Sequence, residues 1–128
     1  MRRFLVVAAG GAIGTVCRYI VSGIEYRFSY GSFPTGTFVV NATGALVIGF
    51  LWGITHRFNF SPDLCLFIFI GVLGGYTTFS TFGLENFHLF RNGEYIIAIA
   101  NICITNIAVI ISVFAGFFAA RWIACFQK

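Results

Sequence analysis

LCLFIFIGVLGGYTTFSTFGL, residues 64–84, carries no charged side chain, and Gly74-Gly75 followed by Thr77-Thr78 interrupts it near its centre. A helix needs about 20 apolar residues to cross the hydrocarbon of a bilayer, so this stretch reads as a membrane span. Residues 33–55 and 95–120 are equally free of charge, and 4–24 contains only Arg18. The apolar runs are continuous, whereas a β-barrel strand alternates over about 10 residues. The pattern therefore predicts an all-α membrane protein with four transmembrane helices and a single domain over 1–128.

Composition points the same way. The chain has 128 residues, 59% hydrophobic and 9% charged, with a mean hydropathy of +0.91. A soluble domain is about 45–50% apolar and about 25% charged, and a chain this short cannot bury the surplus in its own core. A cytosolic enzyme, a nucleic-acid binder and a disordered linker are excluded, and no catalytic residue is expected. Met1-Arg2-Arg3 before an apolar run imitates a secretory signal, but the run is longer than an h-region and three more spans follow, so the first helix is read as retained. With four spans, Arg2, Arg3, Arg57, Arg121 and Lys128 share one side, against Arg27 and Arg91 with Arg18 near a span end. The positive-inside rule then favours cytoplasmic termini by only two or three charges. So small a bias permits insertion both ways round.

Small residues recur four apart, as Gly10/Gly14, Gly49/Gly53 and Gly71/Gly75. Such faces let helix backbones approach closely in lipid, which predicts a compact bundle and an oligomer. Cys17, Cys65, Cys103 and Cys125 form no CxxC pair and read as small buried hydrophobes. His56 and His88 lie at span ends and read as interfacial side chains. Turns are expected at 29–32 with Pro34, at 59–63 with Ser61 capping a helix that opens on Pro62, and at 91–94.

Function is sought among polar groups inside the spans, because these are costly unless they pair or line a cavity. Arg18, Asn41, Thr43, Asn101, Thr105 and Asn106 qualify, with Asn101 and Thr105 on one helix face. Each reads equally as interhelical glue or as part of a pathway. No Asp or Glu lies deep in a span, which argues against proton coupling through a carboxylate relay. Paired glycines and β-branched residues weaken helix at 74–78, and the third helix is expected to break near its middle. A break at this depth survives only where it is buried in protein or lines a cavity, and its freed carbonyls suit a hard cation such as Na⁺. Phe79 and Phe82 follow on one face. Aromatic edges are positive, so rings edge-on to a narrow path, with hydroxyls and the Asn41 amide as donors, suit a small hydrated anion. With 17 phenylalanines in the chain, simple packing explains the pair as well.

Gly74-Gly75-Tyr76-Thr77-Thr78-Phe79-Ser80-Thr81-Phe82 closely resembles the GGxTTFSTF signature of the small bacterial fluoride channels, the Fluc or CrcB family. Gly36-Thr37-x-x-x-Asn41-x-x-Gly44 resembles the family's second-span motif, and Gly10-Gly11-x-x-Gly14-x-x-x-Arg18-Tyr19 its first. Glu85 stands where the family commonly has glutamate. The resemblance covers essentially the whole chain.

The resemblance implies a dual-topology protein of the bacterial plasma (inner) membrane, in which two copies form an antiparallel homodimer and let fluoride leave the cytoplasm passively. By position, Phe79 and Phe82 resemble the pore phenylalanines, Asn41 the pore asparagine, and Ser80 and Thr81 the bordering hydroxyls. Asn101 and Thr105 fall at the polar span-four positions of the pathway. Gly74 and Thr77 resemble the residues whose backbone carbonyls hold a structural Na⁺, and Arg18 the vestibule arginine. Tyr76 departs from the usual leucine, Gly83 and Val109 from frequent serines. Two rivals stand beside this reading. A small dual-topology multidrug exporter would need a carboxylate in span one, which 4–24 lacks; a non-transporting assembly subunit would use the buried polar groups only as glue.

Overall fold

A computed structural model describes residues 1–26, 33–55 and 58–125. The expected turn at 29–32, together with Arg27, His56, Arg57 and Lys128, lies outside the described residues. Helix α1 spans Arg2–Tyr26 and α2 spans Thr35–Thr55. Helix α3 (62–76) opens at Pro62–Cys65, widens into π-type turns over Leu66–Leu73 and closes with one α-turn at Gly74–Tyr76. Helix α4 is Phe79–Arg91 and α5 is Tyr95–Cys125. Four helical segments are long and apolar enough to cross a membrane, with 62–91 counted as one. This is a multi-pass membrane protein.

The third span runs past Leu84 to Arg91, so Glu85 lies within it. The fourth has 31 residues, about 46 Å at 1.5 Å per residue, and overreaches a hydrocarbon core of about 30 Å. Local chemistry sets the ends. Ser61 accepts a hydrogen bond from the Leu64 amide at 3.3 Å, with Pro62 in the first turn. At the other end of the span, Gly93 takes φ 81°, which only glycine adopts without strain. The Glu94 and Gly93 amides then close back onto the Leu89 and Phe90 carbonyls at 2.9 and 3.1 Å.

Glycine faces decide which helices pair. A β-carbon on Gly71 would lie 2.9 Å from the Gly10 α-carbon, and one on Gly75 would lie 2.7 Å from the Gly11 carbonyl. Gly10 lies against the Phe67 carbonyl and Gly14 against the Val72 carbonyl and Tyr76 amide, so residue numbers rise together along α1 and α3 and the two helices are parallel. Gly49 lies against Val113, and Gly53 against Phe117 and Ala120, which makes α2 and α5 the second parallel pair. Large apolar side chains face outward, among them Ile96, Trp122 and Phe118. Buried positions, by contrast, include Thr37, Thr78, Asn86, Asn101 and Thr105. In water this would be inside out; in lipid, polar groups belong where other protein groups can satisfy them.

Candidate functional site: the interruption of the third span

Between α3 and α4 the chain leaves helical conformation for two residues. Thr77 has φ −74° and ψ 154°, and Thr78 has φ −148° and ψ 117°. The glycines before them stay helical. Gly75 serves contact instead, against Gly11, while Gly74 lies on an exposed face. The extended positions fall on the β-branched threonines, whose side chains fit extended backbone better than helix.

In an unbroken helix the Gly74 carbonyl would accept from the Thr78 amide and the Thr77 carbonyl from the Thr81 amide. Both donors go elsewhere. The Thr78 amide donates to Asn41 Oδ1 at 2.8 Å, and Asn41 Nδ2 donates to the Thr78 carbonyl at 3.0 Å. One side-chain amide thus satisfies both backbone groups of an extended residue, as a neighbouring strand would. The Thr81 amide donates to Thr78 Oγ1 at 3.4 Å, which makes Thr78 the N-cap of α4. Gly44, one turn beyond Asn41, leaves room for the Thr77 methyl and the Tyr76 ring. The Tyr76 hydroxyl pairs with Thr43 Oγ1 at 2.9 Å.

A cleft of about 330 Å³ opens on one side of the interruption, and Asn41, Thr78, Phe79, Phe82 and Thr105 line it with mainly apolar neighbours. The two rings have centroids 5.5 Å apart and planes tilted by 38°. Phe82 is 6% exposed and Phe79 77% exposed, so one ring is core and the other faces outward. A second cleft of about 240 Å³ lies on the other side, lined by Arg18, Tyr19, Ser22, Thr37, Thr78 and Thr81 among others. Thr78 belongs to both. Arg18 Nη1 reaches the Thr77 carbonyl at 3.5 Å. Ser80 lines neither cleft; its hydroxyl is 3.5 Å from that of Thr78.

Asn101 and Thr105 are buried and bonded to each other, the Thr105 hydroxyl donating to Asn101 Oδ1 at 2.9 Å. Asn101 Nδ2 donates to Asn86 Oδ1 at 3.1 Å, and Asn86 Nδ2 donates to the Phe82 carbonyl at 2.7 Å. Midway along α4, the Thr37 hydroxyl donates to Glu85 Oε1.

A family model described as "CrcB-like protein, Camphor Resistance (CrcB)" matches residues 5–117, a stretch that holds every residue of both clefts. The chain belongs to the CrcB family. Among relatives of this CrcB chain, the "Fluoride-specific ion channel FluC" of Parabacteroides distasonis is 42% identical over 116 residues, covering 91% of each chain. Proteins of the same name from Elusimicrobium minutum and Thermococcus kodakarensis are 40% and 42% identical over 122 residues, covering 94% of this chain and 95% and 98% of theirs.

Three members of the CrcB site escape a reading of the sequence. Thr78 was legible as part of a weakened helix and of the 74–82 signature but not as a cap, although a threonine three residues before Thr81 at a helix start is an N-cap pattern. Asn86 follows Phe82 by four and so shares its face, a signal masked by its place beyond the charge-free run. Thr37 faces Glu85 across 48 positions, and no local pattern encodes that pairing.

Proposed function

We propose that this chain forms a fluoride-selective channel in the plasma (inner) membrane of a bacterium, passively exporting fluoride as an antiparallel, dual-topology homodimer. The observation that carries this reading is the interruption at Thr77–Thr78, where two clefts meet at one buried residue deep in an otherwise apolar span. The fluoride-specific names of the relatives supply the ion. A small anion loses much hydration in a narrow path and needs close donors in return. After its bond to Thr78, Asn41 keeps one N–H; Thr81 offers a hydroxyl to the second cleft, and Ser80, outside both clefts, would have to turn its hydroxyl from beside Thr78 to reach the anion. The edges of Phe79 and Phe82 add a weak positive field without a trapping charge. Arg18, at the mouth of the second cleft, raises the local anion concentration.

The Gly74 and Thr77 carbonyls fit a hard cation, because the amides that would have occupied them in a helix are bonded to Asn41 and Thr78, and the Thr77 carbonyl keeps a second lone pair beside its contact with Arg18 Nη1. Two carbonyls do not complete the six or so oxygens a hard cation takes. A methyl on Gly74 would meet only the Phe69 carbonyl at 3.7 Å, so this face is open to a second copy bringing the same pair. A bound Na⁺ would supply fixed positive charge that ties the two copies together.

Efflux from liposomes holding the purified protein, followed with fluoride and chloride electrodes and valinomycin for the counter-charge, tests the reading. Fast fluoride loss with chloride retained is expected. Retention of both ions by a folded protein would refute it. In the same assay, Phe79→Ile and Phe82→Ile keep bulk but remove the ring edge, so fluoride flux should fall by about two- to tenfold in each, since such aromatic contacts are worth about 0.5–1.5 kcal/mol. Undiminished flux in both variants would sink the ring-edge mechanism. Replacing Na⁺ by a bulky organic cation should weaken activity or assembly; indifference, with no Na⁺ retained by the purified protein, would count against the carbonyl site.

A further inference from the structure

We infer that Asn86 is a positioning residue that sets the place of the Phe82 ring, and that Asn101 and Thr105 act through it as a tie between α5 and α4 rather than as donors to the anion. The inference rests on the fluoride-channel reading for its flux readout, but its structural basis is independent of it.

Because the third span is interrupted, α4 does not inherit its orientation from α3 through continuous helix. Tertiary contacts must supply it, and the helix that α4 touches most is α5. Across that contact runs one hydrogen-bond chain with a single direction: Thr105 to Asn101, Asn101 to Asn86, Asn86 to the Phe82 carbonyl. Thr105, Asn101, Asn86 and Phe82 are all buried, at 4, 1, 5 and 6% exposure. Hydrogen bonds in such surroundings are strong, and leaving one end open is costly, so the chain fixes the register of α4 on α5.

The donor inventory separates tie from pathway. A threonine hydroxyl has one hydrogen, and that of Thr105 is spent on Asn101 Oδ1. Thr105 lines the cleft beside Phe82, yet it offers the cleft its methyl and oxygen lone pairs, neither of which attracts an anion. Asn101 does not line that cleft. The chain ends on the backbone of Phe82, the ring that forms the buried wall. Loosening the tie moves that wall and widens the path toward larger, less hydrated anions. Discrimination against chloride is therefore what it controls.

The experiment is a double-mutant cycle on Asn86→Ala and Asn101→Ala, reading the fluoride-to-chloride flux ratio in liposomes. Each single variant should lower the ratio roughly tenfold, the worth of one buried hydrogen bond. The double variant should lower it no further than Asn86→Ala alone, because Asn101 acts only through the bond to Asn86 that this variant has already removed. Losses that multiply to about a hundredfold would make Asn101 an independent pathway donor and overturn the inference, as would an unchanged ratio in Asn86→Ala. Leucine, similar in size to asparagine, tests the same bond at both sites if the alanine forms fail to assemble. A second readout is the ¹⁹F resonance of 4-fluorophenylalanine at position 82, which both single variants should displace. If the unaltered protein carries no fluoride, the channel reading fails while the resonance still decides the tie: a displaced line supports it and an unmoved line overturns it.

Discussion

Alanine in place of Gly49 or Gly116 is expected to dismantle the pairing of α2 with α5. The added methyl at Gly49 would lie inside the Val113 carbonyl and 2.9 Å from the Val113 α-carbon, and at Gly116 it would strike the Leu46 carbonyl and lie 2.8 Å from the Phe50 amide. These obstacles are backbone, which cannot turn aside as a side chain would. The helices must separate, and the cost should reach about 3 kcal/mol, the upper part of the overpacking range. Thermal unfolding in detergent, followed by size-exclusion chromatography, should show loss of folded protein for both variants. Gly83→Ala is the control. Nothing lies within 4 Å of a methyl there, and replacing a helical glycine should stabilise by about 0.5–1 kcal/mol. If Gly49→Ala and Gly83→Ala behave alike, close backbone approach does not hold this bundle together.

Asn41→Asp should abolish fluoride flux more thoroughly than Asn41→Ala. With alanine, the Thr78 amide and carbonyl lose their partners, at about 1–3 kcal/mol for each buried group; that lowers the share of molecules with a formed interruption by about tenfold or more. With aspartate, one oxygen still accepts from the Thr78 amide, but the other faces the Thr78 carbonyl where Nδ2 now donates at 3.0 Å. Two acceptors then oppose each other. The carboxylate also sets a negative charge beside the cleft that an anion would cross. Electrode-monitored efflux, with assembly checked by chromatography, separates the two effects. An aspartate variant with flux equal to that of the unaltered protein would show that Asn41 neither holds the interruption nor borders the path.

Legibility in the sequence followed the range of the interaction. The spans at 4–24, 33–55, 64–84 and 95–120 come from apolarity and length, and helices of the structure contain almost all of each. The Ser61 cap and the Gly93 turn are equally local. Small-xxx-small faces marked Gly10, Gly14, Gly49, Gly53, Gly71 and Gly75 as contact positions, which they are. Spacing alone did not say that α1 would meet α3 and α2 would meet α5. Nor did it foresee the π-type turns over Leu66–Leu73.

What the sequence by itself determined is therefore the solvent and the family. Transfer into lipid depends on composition over about 20 residues, and the 74–82 signature is contiguous, so both survive in one dimension. Tertiary structure decided which polar groups are free. Asn41 and Thr78 are 37 positions apart and Asn101 and Asn86 are 15 apart, yet their hydrogen bonds determine which donors an anion can use. The glycine pair suggested where the helix weakens, but the extended residues are Thr77 and Thr78, because that is where the Asn41 amide can replace the lost helical partners. In a medium without water every backbone amide must find a protein acceptor, and only the folded arrangement of α2 against the third span settles which acceptor that is.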